Sequence, residues 1–217
     1  MISCFGISSA LVLYSGPDLV SEVMDRSYVR LLSFPVDSVQ EAALEKLAER
    51  RPRSALVPMI RLFAGRGRMA VESSDAIAGF GEVAVPALVK AASDPDPRIR
   101  YWTVRTLGKI GPRAGASGPV LARALRDPVA IVRHNALTAL PEVDQRLAVV
   151  AITGFLSFEG AGSIGLILAI QVLESLGREA ASALPALEQL LRKVDQAAEV
   201  REFAVRAVRT LRRGREI

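Results

Sequence analysis

Few side chains in this sequence could do chemistry. Its 217 residues include one histidine, His134, and one cysteine, Cys4. An imidazole can serve as a general base or bind a metal through either ring nitrogen. His134 stands in I-V-R-H-N-A-L-T-A-L, residues 131–140, with Asn135 beside it. A histidine-based triad needs a serine or cysteine nearby, and Cys4 is remote from it along the chain. A disulfide within the chain, or a zinc site built from several cysteines, needs thiols this chain does not have. There is no G-x-x-x-x-G-K-[ST] phosphate loop. "GFGEV" at Gly79 is a fragment of a glycine fingerprint that a helix stop also explains. No catalytic residue, metal or cofactor is therefore expected, and the helix carrying His134 is expected to exist for packing and display.

That helix belongs to a repeat. V-R-x-x-A-x-x-A-L begins at Val132, and the same frame fits I-R-Y-W-T-V-R-T-L from Ile99 and V-R-E-F-A-V-R-A-V from Val200. Looser copies start at Val39 and Met69, and the most degraded starts at Gly165. The spacings are 30, 30, 33, 33 and 35 residues, a near-fixed period of the kind that marks stacked structural units. Three residues after the frame come an apolar residue and a glycine: Phe80-Gly81, Ile110-Gly111 and Leu176-Gly177. Glycine there suits a left-handed helix stop. Pro58, Pro86, Pro119 and Pro185 then open a second apolar stretch, where a missing N–H costs nothing. Asp94, Asp127 and Asp195 precede the next frame by five residues.

Each unit thus reads as helix A, turn, helix B, turn, with the frame on helix B. Offsets 0, 4, 7, 8 and 11 of the frame form one apolar stripe at 100° per residue. A single pair cannot cover that stripe, so neighbouring units must. Half the residues are apolar and only 5% are aromatic, a balance that suits closely packed helices better than strands. The fold class is an all-α, α-α superhelix of about six helix-turn-helix repeats. Over residues 37–214 the pattern resembles the HEAT-like repeat family, in the short form named after phycobilisome lyases. The expected domains are an apolar N-terminal segment, 1–16, and one repeat domain, 17–217.

Several activities occur on this fold, and the resemblance implies each only where residues match. Deoxyhypusine hydroxylase, a similar repeat protein, holds two irons with His-Glu pairs at offsets 2 and 3. Here His134 matches the histidine, but Asn135 replaces the glutamate. The other copies carry Glu41-Ala42, Val71-Glu72, Tyr101-Trp102, Ile167-Leu168 and Glu202-Phe203. Two irons need several converging imidazole and carboxylate ligands, so that activity is not expected. Nothing in the sequence points to a bilin pocket either.

Two functions from different classes follow. The first is a non-catalytic scaffold that binds another protein through the exposed offsets of helix B: 2, 3, 6 and 10. The candidate site is Tyr101, Trp102, Arg105 and Lys109, then His134, Asn135 and Thr138, then Ile167, Leu168 and Gln171. The ridge starts acidic, at Glu41, Glu45, Glu72 and Asp75, and ends at Glu202, Phe203, Arg206 and Thr210. Exposed aromatics and arginines are frequent interface anchors; alternatively, Trp102 packs on a neighbouring unit. The second function is nucleic-acid binding, resembling the HEAT-like alkylpurine DNA glycosylases. Residues 50–133 carry 15 basic and 6 acidic groups, and Tyr101-Trp102 could stack on bases. Arginine outnumbers lysine 24 to 4, however, and genome composition could account for that.

Further expectations can be stated. Arg100, Arg133 and Arg201 each follow an aspartate by six residues, which suggests a local Asp–Arg contact across the turn. The helix S-I-G-L-I-L-A-I-Q-V-L, 163–173, is apolar nearly all round, so a partner segment, a second copy or residues 5–14 should cover it, unless it is a plain exposed patch. The apolar run from Leu147 is broken at Glu159–Gly162 and reads as two core helices rather than a membrane span. Residues 1–16 lack a basic n-region and could be a signal segment, a capping helix or an overlong start. A lone cysteine fits a reducing cytoplasm, and the chain is expected to be a monomer or weak homo-oligomer.

Overall fold

The computed structural model describes residues 17–65, 67–193 and 196–215. Cys4, the apolar segment 1–16 and Asp195 lie outside the described residues. The chain groups into two compact units, Met1–Phe80 and Gly81–Ile217, which are described in turn. Among the described residues every regular element is a helix.

In the first unit, α1 (Pro17–Leu31) packs on α2 (Asp37–Arg50), and α2 packs on α4 (Arg68–Gly79). Between them, α3 (Leu56–Arg61) is flanked by 3-10 turns at Arg53–Ala55 and Leu62–Ala64. The B helices α2 and α4 bury Ala43, Leu44, Leu47 and Ile77, which sit at offsets 4, 5 and 8 of their frames. Ser73, at offset 4 of α4, is fully buried and donates to the Met59 carbonyl of α3 at 2.8 Å. That bond satisfies a hydroxyl where four of the other five units place an alanine. Helix α2 ends at Arg51, whose φ of 51° and ψ of 46° are left-handed helical.

The second unit contains α5 (Val85–Ala91), α6 (Pro97–Ile110), α7 (Gly118–Ala124), α8 (Ala130–Val143), α9 (Gln145–Phe155), α10 (Gly162–Leu176), α11 (Leu184–Leu191) and α12 (Ala198–Arg215). Helices α6, α8, α10 and α12 carry the frames and pack in series, and each first helix packs on the frame helix after it. At offset 4 they bury Thr103, Ala136, Ala169 and Ala204, and at offset 8 Leu107, Leu140, Leu173 and Val208. Small residues bring the axes close. A Cβ on Gly108 would stand 2.9 Å from that of Ala139, so α6 and α8 meet backbone to side chain with no room to spare.

Local signals set the helix ends. The Asp96 side chain accepts from the Arg98 N–H at the start of α6, and that of Asp144 from Leu147 N–H at the start of α9, each a side-chain N-cap. Gly81, Gly111 and Gly177 have φ of 59°, 68° and 57°. The positive φ matches the sequence reading, but not the basin. At Gly111 and Gly177, ψ is −141° and −126°, the mirror of extended backbone rather than left-handed helix. The chain therefore leaves α6 and α10 through a 3-10 turn (Gly111–Ser117, Gly177–Ala183) before helix A, and Pro119 and Pro185 fall in the first turn of the helix that follows. By length and apolarity Glu159–Leu191 would cross a membrane, but Gly177 turns the chain within it. Leu147 onward forms α9 and α10, separate helices joined by a 3-10 turn at Glu159–Ala161.

Candidate functional site

The repeated arginines form a ladder between successive repeats of the second unit. Arg100 places Nε and Nη2 on the two carboxylate oxygens of Asp127, at 2.7 and 2.9 Å, one repeat further on. Its Nη1 donates to the carbonyls of Asp94 and Pro95 at 2.9 and 3.0 Å. Arg133 repeats the grip on the carbonyls of Asp127 and Pro128, at 2.8 and 3.0 Å, and reaches the Gly160 carbonyl with Nη2 at 2.7 Å. The expected Asp–Arg contact across one turn is thus corrected. Within a turn the acceptors are backbone carbonyls, and the carboxylate serves the arginine of the preceding repeat. Burial pushes the Asp127 pKa up, but hydrogen bonds from Arg100 and the Val129 N–H, with the charges of Arg100 and Arg133, outweigh it and hold it below the usual carboxylate value. These two guanidiniums are held inside the fold, and others in the basic block pair within the chain at its surface. Arg50 pairs with Asp25, Arg68 with Glu72 and Arg98 with Asp96.

His134 is half-buried rather than exposed. A Cβ on Gly165 would lie 3.5 Å from its Nε2 and 3.3 Å from the Phe155 ring, so the imidazole rests against the bare backbone of α10. Offset 2 points away from the helix's own core, as the wheel requires, but onto the flank where the next frame helix stacks. Burial, then the charge of Arg133, lowers the His134 pKa. Among the described residues, no three His, Cys, Asp or Glu side chains gather where they could hold a metal.

The remaining candidate residues fall on three consecutive frame helices. On α6, Tyr101 and Trp102 are half-buried, with ring centroids 5.1 Å apart and edge to face. Arg105 is exposed, its guanidinium 5.6 Å from the Trp102 ring centroid, and Lys109 is exposed one turn further on. On α8, Asn135 donates to the Ile131 carbonyl at 2.9 Å and Thr138 to the Asn135 carbonyl at 3.0 Å. On α10, Ile167 and Leu168 are half-buried and Gln171 is exposed. The all-round apolar helix is therefore partly sheltered by its own neighbours, which bury Leu166, Ala169 and Ile170. On α12, Arg206 lies 4.7 Å from the Phe203 ring centroid and pairs with Glu174 of α10 at 3.0 Å.

Two residues of this face were missed by the sequence reading. Ile131 is 51% exposed and Ile164 72%. Both sit at offset −1, at the start of α8 and α10, which is 260° on the wheel and between offsets 2 and 3. Arg98 and Glu199 hold that offset in α6 and α12, so the apolar pair was a readable signal. In the first unit, the acidic start of the ridge forms a groove of about 570 Å³ lined by Glu41, Glu45, Glu72, Asp75 and Arg68 over Ala42 and Leu44.

The family model described as HEAT repeats matches residues 68–141. An engineered protein solved by a structural genomics consortium is 19% identical, covers 88% of this chain and 97% of its own, and superposes with a TM-score of 0.50. Computationally designed armadillo repeat proteins for modular peptide recognition are 22% identical over 85% of this chain and 98% of theirs, with a TM-score of 0.47. The complex of CpcE and CpcF of phycocyanin lyase from Nostoc sp. PCC7120 is 17% identical over 97% of this chain and 99% of its own, at 0.32. No curated protein matches. The frame and its buried offsets agree with that match over residues 68–141, where the chain is similar to HEAT repeats.

Proposed function

We propose that this chain is a non-catalytic scaffold that binds a protein partner along the face made by α6, α8 and α10. One observation carries the reading. The stacked Trp102–Arg105 pair and the exposed Ile131 and Ile164 lie on consecutive frame helices, on the same side of each. An aromatic–arginine anchor beside exposed aliphatic surface has the composition of an interface core. A HEAT-like fold is typical of interaction scaffolds, though fold alone names no function.

The test is partner capture by the full chain carrying Arg105→Glu and Ile164→Glu. Both side chains are exposed, so melting temperature should hold while capture is lost. Capture at wild-type level by a folded double variant would remove this face from consideration. The nucleic-acid reading is weakened by Arg100 and Arg133, which are held in internal contacts, and retention of the wild-type chain on DNA with a steep salt dependence would revive it.

A further inference from the structure

The groove of the first unit is built by two frame helices, α2 and α4. Its floor is small: Ala42 and Ala48 of α2 and Ala76 of α4 leave about 570 Å³ open between them. Both walls are acidic, with Glu41 and Glu45 on α2 and Glu72 and Asp75 on α4. Arg68 is the one cation among the described lining residues. Its Nε donates to Glu72 of its own helix, and its Nη1 lies 3.8 Å from Glu41 on the opposite wall. One guanidinium thus meets carboxylates of both walls. One turn on, at offset 6 of both frames, stand Glu45 and Asp75. Glu45 is exposed and has no ion-pair partner among the described residues.

We infer that this groove is a docking site for an arginine-bearing segment of another protein, whose guanidiniums take the carboxylates and whose methylene stems lie on the alanine floor. The basic character follows from the walls, four carboxylates against one guanidinium, which call for a cationic partner. A long side chain fits better than a metal ion. Among the described residues no three His, Cys, Asp or Glu gather where they could hold a metal, whereas an apolar floor beneath charged walls suits a charge carried on an apolar stem. Arginine rather than lysine follows from the grip on Arg68, since a planar fork can face two carboxylates at once. The groove lies in the first unit, and its occupant is independent of the α6–α10 face.

The test uses the full chain and two labelled synthetic peptides, one alternating arginine with alanine and one alternating citrulline with alanine, followed by fluorescence anisotropy. The arginine peptide should bind saturably. The citrulline peptide, which keeps the stem and loses the charge, should not. Glu45→Gln should weaken binding about two- to fivefold, the loss expected for one solvent-exposed ion pair. Arg68→Ala should tighten binding by a similar factor, because it vacates Glu41 and Glu72 for the peptide. Ala42→Phe fills the floor without altering charge and should abolish saturable binding. All three positions are exposed, and unchanged helix content and melting temperature would confirm that the variants fold. Equal binding of both peptides, or binding of neither, overturns the proposal. So does arginine-peptide binding that Ala42→Phe leaves unchanged, since that marks diffuse attraction to an acidic surface. Concentration-dependent self-association abolished by Ala42→Phe would assign the groove to a second copy and overturn it as well.

Discussion

Removing the Asp127 carboxylate should destabilise the second unit more than any surface substitution. The side chains of Arg100 and Asp127 are 12% and 8% exposed, so the pair is screened far less than a surface ion pair. Asp127→Ala leaves Arg100 with its two turn carbonyls but no counter-ion, and removes the bond from the Val129 N–H at 2.9 Å. Breaking a buried pair from one side costs about 3–5 kcal/mol, mostly through the charge left behind. At this chain length that lowers the melting temperature by roughly 6–20 °C. Asp127→Asn keeps an oxygen for the Val129 N–H but presents an N–H to a guanidinium, and should cost about 2–3 kcal/mol. Urea unfolding followed by circular dichroism, on Arg100→Ala, Asp127→Ala and the double variant, gives the coupling as a double-mutant cycle. A coupling of about 2 kcal/mol is expected. A value below about 0.5 kcal/mol, within ordinary additivity error, would refute the ladder as a stabilising device. The depressed Asp127 pKa fixes the sign with pH. Its contribution is complete above the unfolded value near 3.8 and is lost as pH falls through the lower folded value.

The other predictions concern single positions. Thr103 is fully buried with an unpartnered Oγ1, so Thr103→Val should raise stability by about 1 kcal/mol in urea titrations, as an apolar isostere removes an unmet hydrogen bond. Gly108→Val should cost about 1–3 kcal/mol, because its Cβ would meet that of Ala139; a neutral result would mean α6 and α8 separate easily. The lowered His134 pKa makes protonation favour the unfolded chain. Stability at His134 is thus complete above about pH 6.5 and declines as pH falls below it toward the folded value. His134→Gln should flatten the melting-temperature profile between about pH 7 and 5, and an unchanged slope would show that the imidazole carries no such linkage.

The buried stripe was legible because a helix's own core face follows from one period: Leu107, Leu140 and Leu173 needed nothing beyond offset 8. His134 was placed on the correct side of its helix but read as exposed, because a wheel describes one helix and says nothing of the helix stacked on its flank. The arginine–aspartate pairing was legible as a type and not as a connection, since Arg100 and Asp127 are 27 residues apart and spacing alone favours the aspartate six residues back. The glycines that end α6 and α10 showed that φ must be positive, while ψ depended on the 3-10 turn that follows. Ile131 and Ile164 escaped notice because the frame was counted from offset 0, one residue after them.

The central claim is that α6, α8 and α10 present the partner-binding face, and crosslinking tests it most directly. A photoreactive residue at Thr138 or Gln171 lies on that face, and one at Val150, 70% exposed on α9, lies on a first helix. Irradiation in cells should yield the same single protein adduct from Thr138 and Gln171 and none from Val150. An adduct from Val150 alone, or unrelated adducts from the two face positions, would contradict the claim.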